Sequence, residues 1–311
     1  MAFSYAQALS PYENKGVLGL PEVSDECCEL QQKVDQLAKM LLASDCCVLH
    51  TGAGISTAAG IPDFRGPNGL WTLQARNQSV QEGVSFTEAV PTYTHFAINA
   101  LERKNIVKFV ITQNVDGLHI RSGYPLNRIA EVHGNVFLEK CSKCRRKYYR
   151  TTPVESIGLR PTGKSCEGTY DGRPCRGILH DGCLDWEDPL PTEDISQANK
   201  YARNADLSVC MGTTLQIIPA GDLPLLVKKN GGKLVIVNLS KTKHDEKADM
   251  IINGRMDDVM KMLMATLQIS VVQKFSPNDI VCFSVYPLET FSRKRNRRNL
   301  KSEKLKQIKA E

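Results

Sequence analysis

No run of about 18 consecutive apolar residues occurs in this 311-residue chain, so a membrane-spanning helix is not expected. The opening MAFSYAQALSPYENKG lacks a basic segment followed by an apolar stretch and does not read as a secretory leader. Without such a leader, the eleven cysteines argue for reduced thiols or metal ligation and against a disulfide framework. Net charge is also missing from most of the chain. Residues 291–311 hold nine Lys or Arg and two Glu, while the remainder holds 31 basic and 32 acidic side chains. The overall +6 therefore belongs to a terminal tail. Such a tail suits nuclear import or contact with a polyanion such as DNA, and equally a solvated terminus.

Four apolar runs each end in small or amide residues: CCVLH into TGAGIS, KFVITQN, DLSVCMGTT and KLVIVNLS. Helical periodicity lies between them. Leu30, Val34, Leu37 and Leu41 share one face over 26–42, with Ser24 and Asp25 as candidate N-caps. A second helix is expected at 192–204. A third, from Met256, carries a Val259, Met260, Leu263, Met264 and Leu267 stripe suited to core packing. Strands alternating with helices predict an α/β fold with a doubly wound parallel sheet, which binds ligands at the carboxyl ends of its strands. Residues 52–56, 113–116, 212–214 and 238–240 would converge there. Cys27, Cys28, Cys46 and Cys47 sit in apolar patterns and read as structural.

TGAGIS offers the Gly-x-Gly of a phosphate-cradling turn backed by a helix N-terminus. Thr57 stands where a third glycine would complete the fingerprint, so a plain tight turn remains open. Downstream, GIPDFRGPNGLW is a loop that carries Phe64, Arg65 and Trp71. Exposed aromatics and an arginine suit a ligand lid, and a loop packed on its own aromatics is the alternative.

Cys141, Cys144, Cys166 and Cys175 form a C-x2-C pair followed by a looser C-x8-C pair, with Cys183 as a substitute ligand. Four thiolates would close a tetrahedral zinc sphere and leave no open position, which makes such a site structural. Four unrelated reduced thiols are the competing reading. His133, in EVHGN, is not needed as a ligand. Beside TQNVDGLH it can serve as a general base, or it can be a buried, hydrogen-bonded core residue. Spacing alone does not choose between them. His50, His95, His119, His180 and His244 read as structural or surface.

Taken together, GAGISTAAGIPDFRGPNGLW, TQNVDGLH, EVHGN, CSKC and MGTTLQI resemble the sirtuin family in order and spacing from about residue 46 to 268. YAQALSPYENKGVLGLPE and CLDWEDPLP extend the likeness to about residue 4 and are similar to its sirtuin-6 branch. The resemblance implies a Rossmann-like domain with a small inserted zinc-binding domain. It divides the chain into an extension at 1–25, Rossmann parts at 26–140 and 184–270, a zinc module at 141–183 and a C-terminal extension at 271–311.

It also implies NAD as a co-substrate and one structural zinc. The acyl oxygen of an acyl-lysine attacks the ribose carbon, nicotinamide leaves, and His133 acts as base on a ribose hydroxyl. That hydroxyl then attacks the acyl carbon, and water completes the release of free lysine and O-acyl-ADP-ribose. Asn114 and Asp116 match residues at the nicotinamide end. Ala53, Thr57, Asp63, Phe64, Arg65, Trp71, Gln113, Gly212, Thr213, Thr214, Asn238, Ser240 and Met256 match cofactor-lining positions. The implied partners are acyl-lysine histone tails and nucleosomes, in the nucleus and away from membranes. A mono-ADP-ribosyltransferase on the same site and a non-catalytic chromatin-binding zinc module are the rival functions. Ser240 departs from the expected glutamine, and GILHDGCLDWED and the loop between Cys166 and Cys175 depart from the branch pattern.

Overall fold

Every residue of CVLHT is buried, a pattern a strand adopts when both faces of its sheet are covered. The computed structural model describes residues 5–79, 83–170, 172–275 and 283–285; the basic tail lies outside the described residues. The chain opens with α1 (Tyr5–Ala8), α2 (Cys27–Ala43), β1 (Cys47–Thr51), α3 (Leu70–Ala75), α4 (Tyr93–Arg103) and β2 (Val107–Thr112). There follow α5 (Leu118–Arg121), β3 (Ile129–Glu131), β4 (Gly134–Cys141), β5 (Lys147–Tyr149), β6 (Pro161–Ser165), β7 (Thr169–Tyr170), β8 (Arg173–Pro174) and β9 (Ile178–Cys183). The chain then runs through α6 (Thr192–Asn204), β10 (Leu207–Met211), β11 (Lys233–Val237), β12 (Met250–Ile252), α7 (Met256–Thr266) and β13 (Phe283–Val285).

Six strands form a parallel sheet in the order β12-β11-β10-β1-β2-β3. Alternation along β1 splits its side chains between two cores. Cys47 and Leu49 join the face covered by Val34, Leu37 and Leu41 of α2, Ile98 and Leu101 of α4, and Val259 and Leu263 of α7. Val48 faces the other way, with Ala198 and Ala202 of α6 and Leu223 and Val227 of the 3-10 segment Ala220–Asn230. This is the doubly wound architecture expected from the strand–helix alternation.

A second, antiparallel sheet runs β13-β5-β4-β9-β6, and its strand β4 begins immediately after His133. β13 was not expected, because three residues are too few to display a period. It pairs with β5, and the Phe283 ring stacks on Tyr149 at 4.8 Å. Among the described residues, no helix is long and apolar enough to cross a membrane.

The N-cap of α2 also differs from expectation. Glu26 occupies that position without a side-chain cap. Asp25 instead bonds Lys33 Nζ at 2.6 Å and Asn253 N at 2.8 Å, a link to the far end of the chain that local pattern cannot show. Cys27 and Cys28 are exposed rather than packed, because they occupy the first turn of α2, ahead of its buried stripe.

Candidate active site and metal centre

Strand order reverses at β1. The chain passes from β1 outward to β2 and β3 on one side, and β10, β11 and β12 extend on the other. Loops leaving β1 and β10 therefore part above the sheet and open a crevice. They meet backbone to backbone at its base, where Gly52 N donates to Met211 O at 3.0 Å and Gly54 N to Gly212 O at 2.8 Å. Gly212 has φ +62°, and a Cβ there would sit 2.7 Å from Gly54 C, so only glycine fits. No α-helix follows the TGAGIS turn. Two 3-10 turns, Ala53–Ile55 and Thr57–Ala59, take its place, which is why Thr57 is accommodated where a dinucleotide fingerprint carries glycine.

The crevice is a cleft of about 1330 Å³. It brings together Ala53, Thr57, Asp63, Phe64, Arg65, Trp71, Gln113, Asn114, Asp116, His133, Gly212, Thr213, Thr214, Asn238, Ser240 and Met256. Its floor is a polar network centred on Ser56, which the sequence placed among the converging residues 52–56 without a role of its own. Ser56 Oγ donates to Asp116 Oδ2 at 2.7 Å and accepts from Asn114 Nδ2 at 3.3 Å; Asn114 Nδ2 also reaches Gly52 O at 3.0 Å. Burial pushes the Asp116 carboxyl up, opposed by its bonds to Ser56 and Leu118 N.

His133 is half-buried beside this network. Its Nδ1 lies 3.2 Å from the Gln113 carbonyl oxygen, which can only accept, so the ring proton resides on Nδ1 and Nε2 carries the free lone pair. Burial lowers the imidazole to about 4, with the nearby Arg65 charge acting the same way. The ring is thus a neutral base at physiological pH.

Over the cleft lies the 63–76 segment. Trp71 is buried, contrary to the picture of an exposed lid. Its ring packs on Phe64 at 4.6 Å and Trp186 at 5.1 Å, with the Arg65 guanidinium 4.5 Å from its centroid. Arg65 Nε also donates to Lys15 O at 2.8 Å, and Tyr12 stacks on Trp186 at 4.5 Å. The N-terminal segment thus runs across the cleft mouth. Trp186 and Tyr5, both in the cleft lining, were not expected there: one lies about 115 residues from Trp71 and the other far upstream.

The four thiols of Cys141, Cys144, Cys166 and Cys175 lie within 4.8 Å of one another, and all are buried. Two Sγ–Sγ separations are 3.6 Å. A tetrahedral zinc with Zn–S bonds of about 2.3 Å requires thiolates about 3.8 Å apart, so the donor set fits that ion. Lys143 N and Cys144 N point at Cys141 Sγ from 3.4 Å, and the Tyr148 hydroxyl lies 3.0 Å from Cys166 Sγ, the second layer that orients such ligands. Cys183 lies elsewhere, packed with Val115, Val136, Phe137 and Ile157. Cys175, and not Cys183, is the fourth thiol of the cluster.

A doubly wound sheet with a cleft at its switch point, joined to a four-thiol knuckle, defines a nucleotide-site protein with a structural metal module. The sequence profile of the Sir2 family matches residues 52–85 and 77–219. The NAD-dependent protein deacetylase Sirt6 of Drosophila melanogaster is 46% identical over 282 residues, 90% of this chain and 89% of that protein. Human NAD-dependent protein deacetylase sirtuin-7 is 38% identical over 266 residues, 80% of this chain and 64% of that one. A solved Sir2 complex with deacetylated p53 peptide and 3′-O-acetyl ADP ribose is 30% identical with a TM-score of 0.60, covering 76% of this chain and 100% of its own. A Sir2 complex with p53 peptide and NAD+ is 28% identical with a TM-score of 0.57, covering 76% and 99%. The chain belongs to the Sir2 family, the sirtuins.

Proposed function

We propose that this chain is an NAD-dependent protein-lysine deacylase, acting chiefly on acetyl-lysine and also on longer fatty acyl groups. The observation that carries this reading is His133, a neutral imidazole whose free Nε2 belongs to a residue lining the cleft. NAD, consumed as co-substrate, supplies the ADP-ribosyl group, with the nicotinamide–ribose bond broken by the acyl oxygen. In this reading Asn114, Asp116 and Ser56 organise the nicotinamide end, and His133 Nε2 takes the proton of a ribose hydroxyl. Ala53, Thr57, Arg65, Gln113, Gly212, Thr213, Thr214, Asn238, Ser240 and Met256 hold the remainder of the dinucleotide. Phe64 and Trp71 cover the departing nicotinamide, with Asp63 beside them. Asp63 Oδ2 also accepts from Gly66 N at 2.9 Å, which steadies the loop. The apolar side chains of Leu9, Phe86 and Val115 in the cleft wall support room for a long acyl chain. Zinc on the four cysteines is structural, because a closed thiolate sphere has no position for substrate.

The substrate proteins in this proposal are histone tails and nucleosomes in the nucleus, with the basic tail adding contact to DNA or another polyanion. The division at 140/141, 183/184 and 270/271 belongs to the same proposal. Nicotinamide release with acetyl- and myristoyl-lysine histone peptides, followed by mass analysis of products, tests it. Free lysine with O-acyl-ADP-ribose is the expected outcome. ADP-ribose attached to protein would favour the transferase instead, and no turnover would favour the non-catalytic chromatin module. Full deacylation by a His133→Tyr variant would overturn the assignment of the base.

A further inference from the structure

The turn carrying His133 is two residues long, Val132 and His133, between the end of β3 and the start of β4, and two buried side chains close its base. Asn135 Nδ2 donates to Glu131 Oε1 at 2.6 Å, and Asn135 Oδ1 accepts from Phe137 N at 2.8 Å. Glu131 is 6% exposed and Asn135 1%, and neither lines the cleft. Burial and the neighbouring Asp194 charge push the Glu131 carboxyl up to about 8, opposed by the Asn135 hydrogen bond and the Lys147 ammonium. The groups around Glu131 belong to three elements. Asn135 lies on β4, Tyr149 and Lys147 on β5 of the thiol-bearing sheet, and Asp194 in the first turn of α6. Lys147 Nζ bonds Asp194 Oδ2 at 3.1 Å.

The other supports of His133 involve backbone groups. Its Nδ1 meets Gln113 O, Leu184 N donates to His133 O at 3.3 Å, and Val132 N donates to Thr112 O at 3.1 Å. These fix the strand ends and the tautomer. The Glu131–Asn135 bond is the side-chain link across the turn itself.

We propose that Glu131 is a positioning residue for His133: its hydrogen bond to Asn135 sets the width of the turn and thereby the place of Nε2 against the ribose hydroxyl. The proposal rests on the reading of His133 as base. It also makes Glu131 the joint through which β5, itself tied to α6 by the Lys147–Asp194 pair, braces the active site.

Two reactions of the full-length, zinc-loaded chain with NAD and an acetyl-lysine peptide separate positioning from general stability. Exchange of labelled nicotinamide into NAD precedes the step that needs the base, whereas formation of free lysine requires it. E131A is expected to lower kcat for free lysine on the order of tenfold to a hundredfold, with KM little changed and exchange retained. E131Q should restore most of the loss, because its amide oxygen still accepts from Asn135. If E131A fails to fold, N135A breaks the same bond without removing the carboxyl and should show the same split. Native deacetylation by the folded variant, or a parallel fall in both reactions, would overturn the proposal. H133A run alongside distinguishes the two ideas. If it keeps deacetylation, the base assignment fails; if only H133A loses it, the positioning role of Glu131 fails.

Discussion

Gly134 follows the candidate base at φ +85°, and a Cβ there would lie 1.9 Å from Gly182 O. Both the left-handed backbone and the contact exclude any other residue, so G134A should cost about 1–3 kcal/mol in urea unfolding and displace His133. Histidines elsewhere make a pH prediction. Burial lowers His50 and His119 to about 3, and His95 moves in the same direction with added repulsion from His119. Each binds a proton in the unfolded chain near 6.5 and not in the folded one. Stability is therefore complete above about pH 6.5 and falls as pH drops from there toward 3, by up to about 1.4 kcal/mol per pH unit for each group. Denaturation midpoints at pH 7.5, 6 and 5 check the sign. The same physics gives His133 a distinct signature. Its neutral form persists to about 4, so the acid limb of kcat/KM should lie well below the 6.5 of a free imidazole. Spacing alone made His133 indistinguishable from a core histidine; its place in the cleft wall supports the proposed base.

At the scale of elements, α6 docks the metal module onto the sheet. Its first-turn acids pair with the module across the junction, Glu193 with Arg145 and Asp194 with Lys147. Acids in a first turn also suit the helix dipole. K147A leaves Asp194 without its ion pair and should destabilise the chain by about 2 kcal/mol, with a double-mutant cycle against D194A isolating the pair term. Long elements were legible because their periods repeat: α6 lies at its expected 192–204, and all four apolar runs contain strands. Short or tertiary-dependent features were not. The TGAGIS turn continues as 3-10 turns, the aromatics of 63–76 pack inward on a tryptophan from another segment, and β13 exists through pairing with β5.

Across the whole molecule, β4 of the antiparallel sheet runs from the His133 turn at Gly134 to Cys141 of the thiol cluster, linking the candidate metal centre to the cleft. Stripping zinc with a chelator should therefore lower the melting temperature and abolish deacylation together. Metal analysis of variants tests the ligand set. C175S should lose bound zinc, whereas C183S should retain one ion per chain, because Cys183 packs with Val136 and Phe137 away from the thiol cluster.

Composition and period determined the fold class and the four strand-end loops, while the resemblance of the motifs to the sirtuins implied the residues from Ala53 to Met256 that line the cleft. Fold class and strand-end loops depend on near neighbours in the chain, where side-chain alternation and glycine turns act locally. Only the tertiary structure decided the rest. It placed Cys175 rather than Cys183 in the thiol cluster, brought Ser56 between Asn114 and Asp116, and set Trp186 against Trp71. Each choice depends on distances between segments far apart in sequence, which close only when both sheets are packed.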